Sequence, residues 1–421
     1  MQAIWIRGGS PLRGTVEIQG AKNSALKLMA AALLTAEPCV LENVPDIRDV
    51  RMMIEILTGL GAEVTREGDQ LRIVARELGE ETPVEPVREM RAGIQVMGPV
   101  VARRGRIRIF QPGGCSLGPR PIDFHLQGLR AMGAQVAEEF GFIRVEAERL
   151  RGTDIYLDFP SVGATENLMM AAVLAEGVTV IHNAAREPEI EDAQRFLNQC
   201  GARVSGAGTG VIRVEGVEGL RGGRYRVMPD RIETATFLLA GAAAGGDLAL
   251  RPAPVYCLEA VLSKMTEIGV HWERPDRETL RVWGAGAVEE GYRPARVRAL
   301  PYPGFPTDVQ PPMTALLAMA RGTSMVSDEV HSARFGYVGE LRRMGADIWT
   351  DGRTAVVRGV KRLTGAQVAA ADLRGGAALI VAALAAEGES LIEGATHLYR
   401  GYARLEERLA GVGARIARVE V

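Results

Sequence analysis

The stretch Leu28-Met-Ala-Ala-Ala-Leu-Leu34 is apolar all round a helical wheel, and Met169-Met-Ala-Ala-Val-Leu-Ala175 repeats the pattern further along the chain. A helix with no polar face has to be covered on every side. The segments that read as strands behave differently. Arg106-Ile-Arg-Ile-Phe110 and Arg281-Val-Trp283 alternate polar with apolar, which gives a sheet one wet face. Helices inside and sheets outside reverses the usual layering of α/β domains.

Working outward from Leu28, the same order of parts recurs. Gly61-Ala62, Gly133-Ala134, Gly201-Ala202, Gly269-Val270, Gly345-Ala346 and Gly413-Ala414 are spaced by 72, 68, 68, 76 and 68 residues. Each copy opens with an Ala/Leu/Met-rich helix, predicted at 24–34, 94–101, 165–174, 234–244, 314–320 and 377–386. A strand follows, as at 178–182 or 390–393. An amphipathic helix comes next, as at 47–60, where Val50, Ile54, Leu57 and Leu60 share a face. Glycine ends that helix, and short strands such as 203–205 and 211–214 close the unit. The sequence thus predicts an α+β fold of six βαβαββ-like repeats in two inside-out domains of three units each. Residues 4–18 precede the first unit and are expected to pair elsewhere, closing the last one. The chain is expected to cross between domains near 19–22 and 228–231. That gives a first domain at 22–229, a second at 1–21 plus 230–421, and a site in the cleft between them.

At 421 residues and 47% hydrophobic the chain is long enough for more than one core. A net charge of −2 with dispersed basic residues gives no footprint for nucleic acid or a membrane surface. The first nine residues lack a signal-peptide pattern, and the longest apolar run, 377–386, is too short to cross a bilayer. Cys39, Cys115, Cys200 and Cys257 lie far apart and the five histidines are scattered, so metal-ligand spacing is absent. A reduced, cytoplasmic protein is expected, with no metal or cofactor and no obligate protein partner.

Chemistry is concentrated elsewhere. Gln111-Pro-Gly-Gly-Cys-Ser-Leu-Gly-Pro-Arg-Pro-Ile-Asp123 holds three glycines and three prolines, which excludes a regular helix or central strand. It reads as an ordered loop over a site, with Arg120 near enough in sequence to lower the pKa of Cys115. Taken alone, it also reads as a surface turn that happens to carry a cysteine. The starts of the buried helices hold Lys22-Asn23, Arg91, Ser161-Val162-Gly163, Arg231 with Glu233, Asp308, and Asp372 before Arg374. Ser161 and Asp308 could simply be N-caps. The cations fit that role badly, because a positive charge opposes the helix dipole unless an anionic ligand or partner is present. With Arg120, Arg334 and Arg400 they suggest a ligand bearing several negative charges. Lys22 is one of four lysines against 46 arginines, so a compact ammonium is suspected there.

Eight motifs now define a resemblance. These are Gly20-Ala-Lys-Asn-Ser24, Pro112-Gly-Gly-Cys-Ser-Leu-Gly-Pro-Arg-Pro-Ile-Asp123, Ser161-Val-Gly-Ala-Thr165, Ala185-Arg-Glu-Pro-Glu-Ile190, Pro229-Asp-Arg-Ile-Glu-Thr234, Phe305-Pro-Thr-Asp308, Asp372-Leu-Arg374 and Tyr399-Arg-Gly-Tyr402. In this order, from about Val16 to about Val419, the chain resembles the UDP-N-acetylglucosamine 1-carboxyvinyltransferases, enolpyruvyl transferases that begin peptidoglycan synthesis.

The resemblance implies an α/β prism and two small-molecule substrates, phosphoenolpyruvate and UDP-N-acetylglucosamine. Lys22, Arg120 and Arg400 would hold the phosphate of phosphoenolpyruvate, and Arg334 with Arg374 its carboxylate. Asn23 would orient the bound intermediate. Asp308 would take the proton of the sugar 3′-hydroxyl, while Cys115 would protonate C3 of the enol. Arg91, Arg120, Pro121, Ile122, Asp123, Phe124, Ser161, Val162, Gly163, Asp308 and Val330 match positions that contact the UDP-sugar. Arg48, Glu187, Glu189, Arg231, Glu233 and Asp372 match residues that support the site or couple the domains. Arg48 stands where relatives often have lysine, Phe124 replaces an aliphatic, and Phe159-Pro160 departs from a charged variant. Two alternatives remain: a transferase acting on shikimate 3-phosphate, which would lack the Pro-Gly-Gly-Cys loop, and a non-catalytic UDP-sugar-binding protein.

Other signals carry less. Ser24-Ala-Leu-Lys27 has a Ser-x-x-Lys pattern without its companion motifs. Gly206-Ala-Gly-Thr-Gly210 reads as a turn between strands, since no long helix follows. His125 either orients the loop or is a packed core histidine. Cys39, Cys200 and Cys257 read as core residues.

Overall fold

The six repeat glycines show how each unit is built. Gly61, Gly133, Gly201, Gly269, Gly345 and Gly413 all take φ between +86° and +104° in the computed structural model, which describes residues 2–111, 122–284 and 291–421. At each, two backbone bonds close the preceding helix. In the first copy Ala62 N–H donates to Leu57 O at 3.0 Å and Gly61 N–H to Thr58 O at 2.9 Å. The pairs at 134/133, 202/201, 270/269, 346/345 and 414/413 repeat this 6→1 and 5→2 pattern. It is the Schellman motif, which needs a left-handed residue after the helix and an apolar residue beyond it. The apolar residue is buried in every copy.

Contacts divide the chain into two units, with boundaries between Gln19 and Gly20 and between Met228 and Pro229. The unit following Gly20 contains helices α1 (Lys22–Ala31), α2 (Arg48–Gly59), α3 (Val84–Glu89), α4 (Met97–Arg104), α5 (Asp123–Ala131), α6 (Val162–Ala172) and α7 (Pro188–Gln199). The unit following Pro229 contains α8 (Arg231–Ala244), α9 (Glu259–Ile268), α10 (Gln310–Leu317), α11 (Val338–Arg343), α12 (Leu373–Ala385) and α13 (Leu405–Gly411). Helices α1, α6, α8, α10 and α12 are buried over nearly their whole length. Each fully buried Leu or Met on them contributes about 1.5–3 kcal/mol of transfer free energy. Helices α2, α7 and α9 bury one face and expose the other. Among the described residues no helix is long and apolar enough to cross a membrane.

The described strands form six sheets, five of four strands and one of three, and their register alternates buried with exposed residues. In the copy around α6, strand Asp154–Tyr156 pairs in parallel with Val178–His182 through the buried helix, and antiparallel strands complete the sheet. Two copies exchange this parallel strand. Leu12–Glu17, which precedes α1, pairs with Gly246–Arg251 after α8. Gly223–Arg226, which precedes α8, pairs with Cys39–Glu42 after α1. Strand Gln2–Arg7 lies between Glu389–Glu393 and Arg415–Glu420 and so closes the last copy.

Helices α1, α6, α8, α10 and α12 start two to four residues before the expected positions, and at two places the departure involves proline. Residues 94–101 do not form one α-helix. Arg91–Val96 is a 3-10 segment and α4 begins only at Met97. This places Pro99 in a first turn, where its missing N–H leaves no bond unmade. Helix α10 starts at Gln310, four residues before the expected Thr314, because Pro311 and Pro312 are tolerated in the first turn.

Candidate active site

In the unit following Pro229 three of the expected residues meet. Asp308 lies just before α10, Arg334 opens a 3-10 segment (Arg334–Tyr337), and Arg374 stands in the first turn of α12. Arg334 Nη2 donates to Asp308 Oδ1, and Arg374 Nη2 donates to Oδ2 at 3.0 Å. Both guanidinium groups are buried, with side-chain exposures of 1% and 6%, whereas the Asp308 side chain keeps 25%. One carboxylate therefore bridges two forks, each oxygen taking one charged hydrogen bond.

The arginines are themselves fixed. Arg334 Nε donates to Thr307 Oγ1 at 3.1 Å, and that hydroxyl donates to Asp328 Oδ2 at 2.7 Å. Asp328 Oδ1 also accepts from the backbone N–H of Val330 at 2.9 Å and of His331 at 2.7 Å. Asp372 caps α12, accepting from Arg374 N–H at 2.9 Å and Gly375 N–H at 3.0 Å. Arg374 Nη1 donates to the Tyr402 hydroxyl at 3.2 Å, and that oxygen lies 2.8 Å from Thr236 Oγ1 on α8. Burial alone would lower the Arg374 pKa, but Asp308, Tyr402 and Asp230 outweigh it and hold the group firmly charged.

The other expected residues of this unit are more dispersed. Arg231, buried at the start of α8, has its guanidinium carbon 5.7 Å from the Tyr302 ring centroid. Glu233 takes two bonds from Arg408, at 2.6 and 3.1 Å, and one from the backbone N–H of Gln19 at 2.9 Å. It thus braces the residue at which the chain leaves the unit. Arg400 ends a half-buried 3-10 segment.

In the unit following Gly20, Lys22 and Asn23 occupy the first turn of α1. Lys22 Nζ lies 2.6 Å from Asp49 Oδ2 in the first turn of α2. Ser161 caps α6, accepting from Ala164 N–H at 3.4 Å, and Val162 and Gly163 follow in its first turn. A Cβ at Gly163 would meet Gln95 Nε2 at 3.1 Å and His125 Nε2 at 3.3 Å, so glycine lets α5 and the Arg91 segment close on this helix end. His125 is buried, and burial, reinforced by the Arg91 charge, lowers its pKa to about 3. It is therefore a neutral packed histidine. Asp123 and Phe124 open α5 after Ile122, and Val330 is half-buried in the other unit. Arg48 is exposed and pairs with Glu89 at 2.6 Å. Glu187 precedes Pro188 at the start of α7, and Glu189 is buried in its first turn. Cys115, Arg120 and Pro121 lie outside the described residues.

Sequence alone predicted the cations but not their counter-ions. Asp49 carries no motif signal of its own, and the Tyr399–Tyr402 motif gives no sign that Tyr402 meets Arg374. Asp328 was hidden, and Thr307, although inside the Phe305–Asp308 motif, is brought to Arg334 only by the fold. The misplaced positive charges at helix starts are thus met by internal anions, Asp49 for Lys22 and Asp308 for Arg374.

The family profile described as EPSP synthase (3-phosphoshikimate 1-carboxyvinyltransferase) matches residues 6–409. A UDP-N-acetylglucosamine 1-carboxyvinyltransferase of Symbiobacterium thermophilum is 54% identical, covering 98% of this chain and 94% of that protein. One from Carboxydothermus hydrogenoformans is 49% identical over 100% and 99% of the two chains. The chain belongs to the UDP-N-acetylglucosamine 1-carboxyvinyltransferase family.

Solved structures place these carboxyvinyltransferases in a wider fold group. The enolpyruvyl transferase NikO from Streptomyces tendae matches with a TM-score of 0.90 at 25% identity, covering 99% of this chain and 98% of its own. An EPSP synthase from Acinetobacter baumannii matches over 100% of both chains with a TM-score of 0.78 at 17% identity, a likeness of fold. As a member of the carboxyvinyltransferase family the chain is a transferase, and it shares its fold with the enolpyruvyl transferase it matches.

Proposed function

We propose that the protein transfers the enolpyruvyl group of phosphoenolpyruvate to the 3′-hydroxyl of UDP-N-acetylglucosamine, releasing phosphate. Full-length identity of 54% to a relative so named supports this acceptor over shikimate 3-phosphate. The observation that carries the chemistry is the buried pair Arg334–Arg374 closing on one carboxylate. Two planar forks converging on Asp308 make a receptor for a carboxylate, and the substrate brings one of its own.

The steps follow from the groups. Lys22, Arg120 and Arg400 take the phosphate of phosphoenolpyruvate. Its carboxylate takes over Arg334 and Arg374, freeing Asp308 from at least one guanidinium. The freed carboxylate accepts the proton of the sugar 3′-hydroxyl as that oxygen bonds to C2, and Cys115 gives its proton to C3. The Cys115 thiolate then takes a proton back from C3 as the C2–O bond to phosphate breaks and the double bond re-forms, which restores the thiol. Carboxylate capture and release of the base become one event. Arg91, Ile122–Phe124, Ser161–Gly163 and Val330 are assigned to the nucleotide sugar, and Asn23 to the intermediate. In this reading the domains are 22–229 and 1–21 with 230–421, and groups from both act on the substrates. The reaction belongs in the cytoplasm, as the first committed step of peptidoglycan synthesis, and so serves cell shape and division.

The test is steady-state kinetics of phosphate release with each substrate varied, on the unmodified protein and on Arg374→Ala. Loss of a charged hydrogen-bonding fork costs about 1.5–3 kcal/mol. The KM for phosphoenolpyruvate should rise about tenfold or more, with the affinity for UDP-N-acetylglucosamine almost unchanged. An Arg374→Ala protein with an unaltered KM for phosphoenolpyruvate would remove the carboxylate assignment.

A further inference from the structure

Helix α1 begins without help from its own sequence. Its N-cap, Ala21, offers no side-chain bond, and no acidic residue stands in its first turn. Three ties to other helices hold its start instead. Lys22 reaches Asp49 on α2. Ser24 Oγ donates to Asp192 Oδ2 on α7 at 2.5 Å, and Asp192 also takes the Tyr225 hydroxyl at 2.7 Å. Lys27 Nζ donates to the Asn23 carbonyl at 2.8 Å and lies 3.1 Å from Glu166 Oε2 on α6. Ser24 and Lys27 are the Ser-x-x-Lys pair, and both serve as anchors.

The third tie is unusual. Glu166 has a side-chain exposure of 0% and Lys27 of 10%, and neither Glu166 oxygen makes a hydrogen bond among the described residues, Oε2 meeting Lys27 as an ion pair. A buried ion pair of this kind is no more stable than an apolar pair of the same size. What it adds is direction: a charged donor aimed at the backbone oxygen of Asn23. We propose that Glu166 and Lys27 are positioning residues for the Lys22–Asn23 turn, the carboxylate holding the ammonium against the Asn23 carbonyl. The proposal rests on the assignment of Lys22 and Asn23 to phosphoenolpyruvate.

Charge state then enters. The groups acting on Glu166 are Lys27 from α1 and Glu189 and Glu187 from α7. His125 on α5 and the Arg91 segment face the N-terminal end of α6 at Gly163. Arg103 of α4 is turned to the carbonyls of Leu33 and Thr35. Burial, only partly offset by Lys27, raises the Glu166 pKa to about 7. Below that pH the carboxyl is neutral and the hold on Lys27 weakens; above it the hold is complete.

The test compares the unmodified protein, the double variant Lys27→Met/Glu166→Gln, and Glu166→Asp. Readouts are thermal unfolding, steady-state kinetics from pH 6 to 8.5, and calorimetric titration of UDP-N-acetylglucosamine. The double variant has no unpaired buried charge, so it should unfold at or above the parent's temperature. Its KM for phosphoenolpyruvate should nevertheless rise about tenfold, with sugar binding unchanged. The fall in kcat/KM for phosphoenolpyruvate below pH 7 should be shallower than in the parent, and Glu166→Asp should restore part of both properties. A folded double variant with the parent's KM and pH profile overturns the proposal. Failure of the underlying assignment has a different signature: Lys22→Ala would leave the KM for phosphoenolpyruvate unchanged, which removes the ground for the proposal as well.

Discussion

At Asp308 a single side chain has two incompatible tasks. It neutralises Arg334 and Arg374, and it is the proposed base for the acceptor hydroxyl. Asp308→Asn should therefore lower turnover by about 10²–10⁴-fold, the span of a positioned acid–base group. Because the amide no longer competes for the arginines, the KM for phosphoenolpyruvate should stay level or fall. Steady-state kinetics decides this, and a raised KM would mean that Asp308 organises the arginines instead of yielding them. Cys115 carries a second residue-level prediction. Cys115→Asp should keep measurable turnover and Cys115→Ser should lose it, because a carboxylic acid can still protonate C3 and an alcohol cannot. His125 supplies a third. Its pKa falls from 6.5 to about 3 on folding, so the unfolded chain binds the extra proton and stability drops as pH falls through that window. His125→Gln should flatten that part of the stability–pH curve in urea titrations at pH 7 and pH 4.5. An equally steep loss in the variant would show that other groups carry it.

Helix ends are the elements most completely legible in the sequence. The six Gly-Ala or Gly-Val pairs predicted six helix stops, and all six glycines hold the left-handed conformation that the Schellman bonds demand. A Cβ at Gly133 meets nothing within 4 Å, so Gly133→Ala isolates the backbone cost alone. It should lower stability by about 1–2 kcal/mol, read from denaturant unfolding, with kinetics unchanged. An unaffected midpoint would mean that the turn re-forms with another geometry. Buried helices were legible through their unbroken apolar runs, but their starts were not, because first turns such as Arg231–Glu233 precede the apolar run and because Pro99, Pro311 and Pro312 are accommodated in first turns. The counter-ions were least legible. Asp49 and Glu166 sit far in sequence from Lys22 and Lys27, and no local pattern links them.

Across the whole molecule, the repeat organises the core, and the proposed chemistry falls on the departures from it. Because Leu12–Glu17 pairs with Gly246–Arg251, the unit following Pro229 also takes in the first nineteen residues, and Gly223–Arg226 closes a sheet of the unit following Gly20. Cations stand at the starts of buried helices in both units, where the repeat itself would be content with a Ser or Asp cap like Ser161 or Asp372. The anionic donor proposed for those cations is phosphoenolpyruvate, and the acceptor is what family membership adds. The most direct measurement is phosphate release by the purified protein given phosphoenolpyruvate with either UDP-N-acetylglucosamine or shikimate 3-phosphate, with the product mass determined. Phosphate should appear in step with an enolpyruvyl ether of the UDP-sugar, and none should appear with shikimate 3-phosphate. Release with shikimate 3-phosphate alone, or with neither acceptor, would contradict the account.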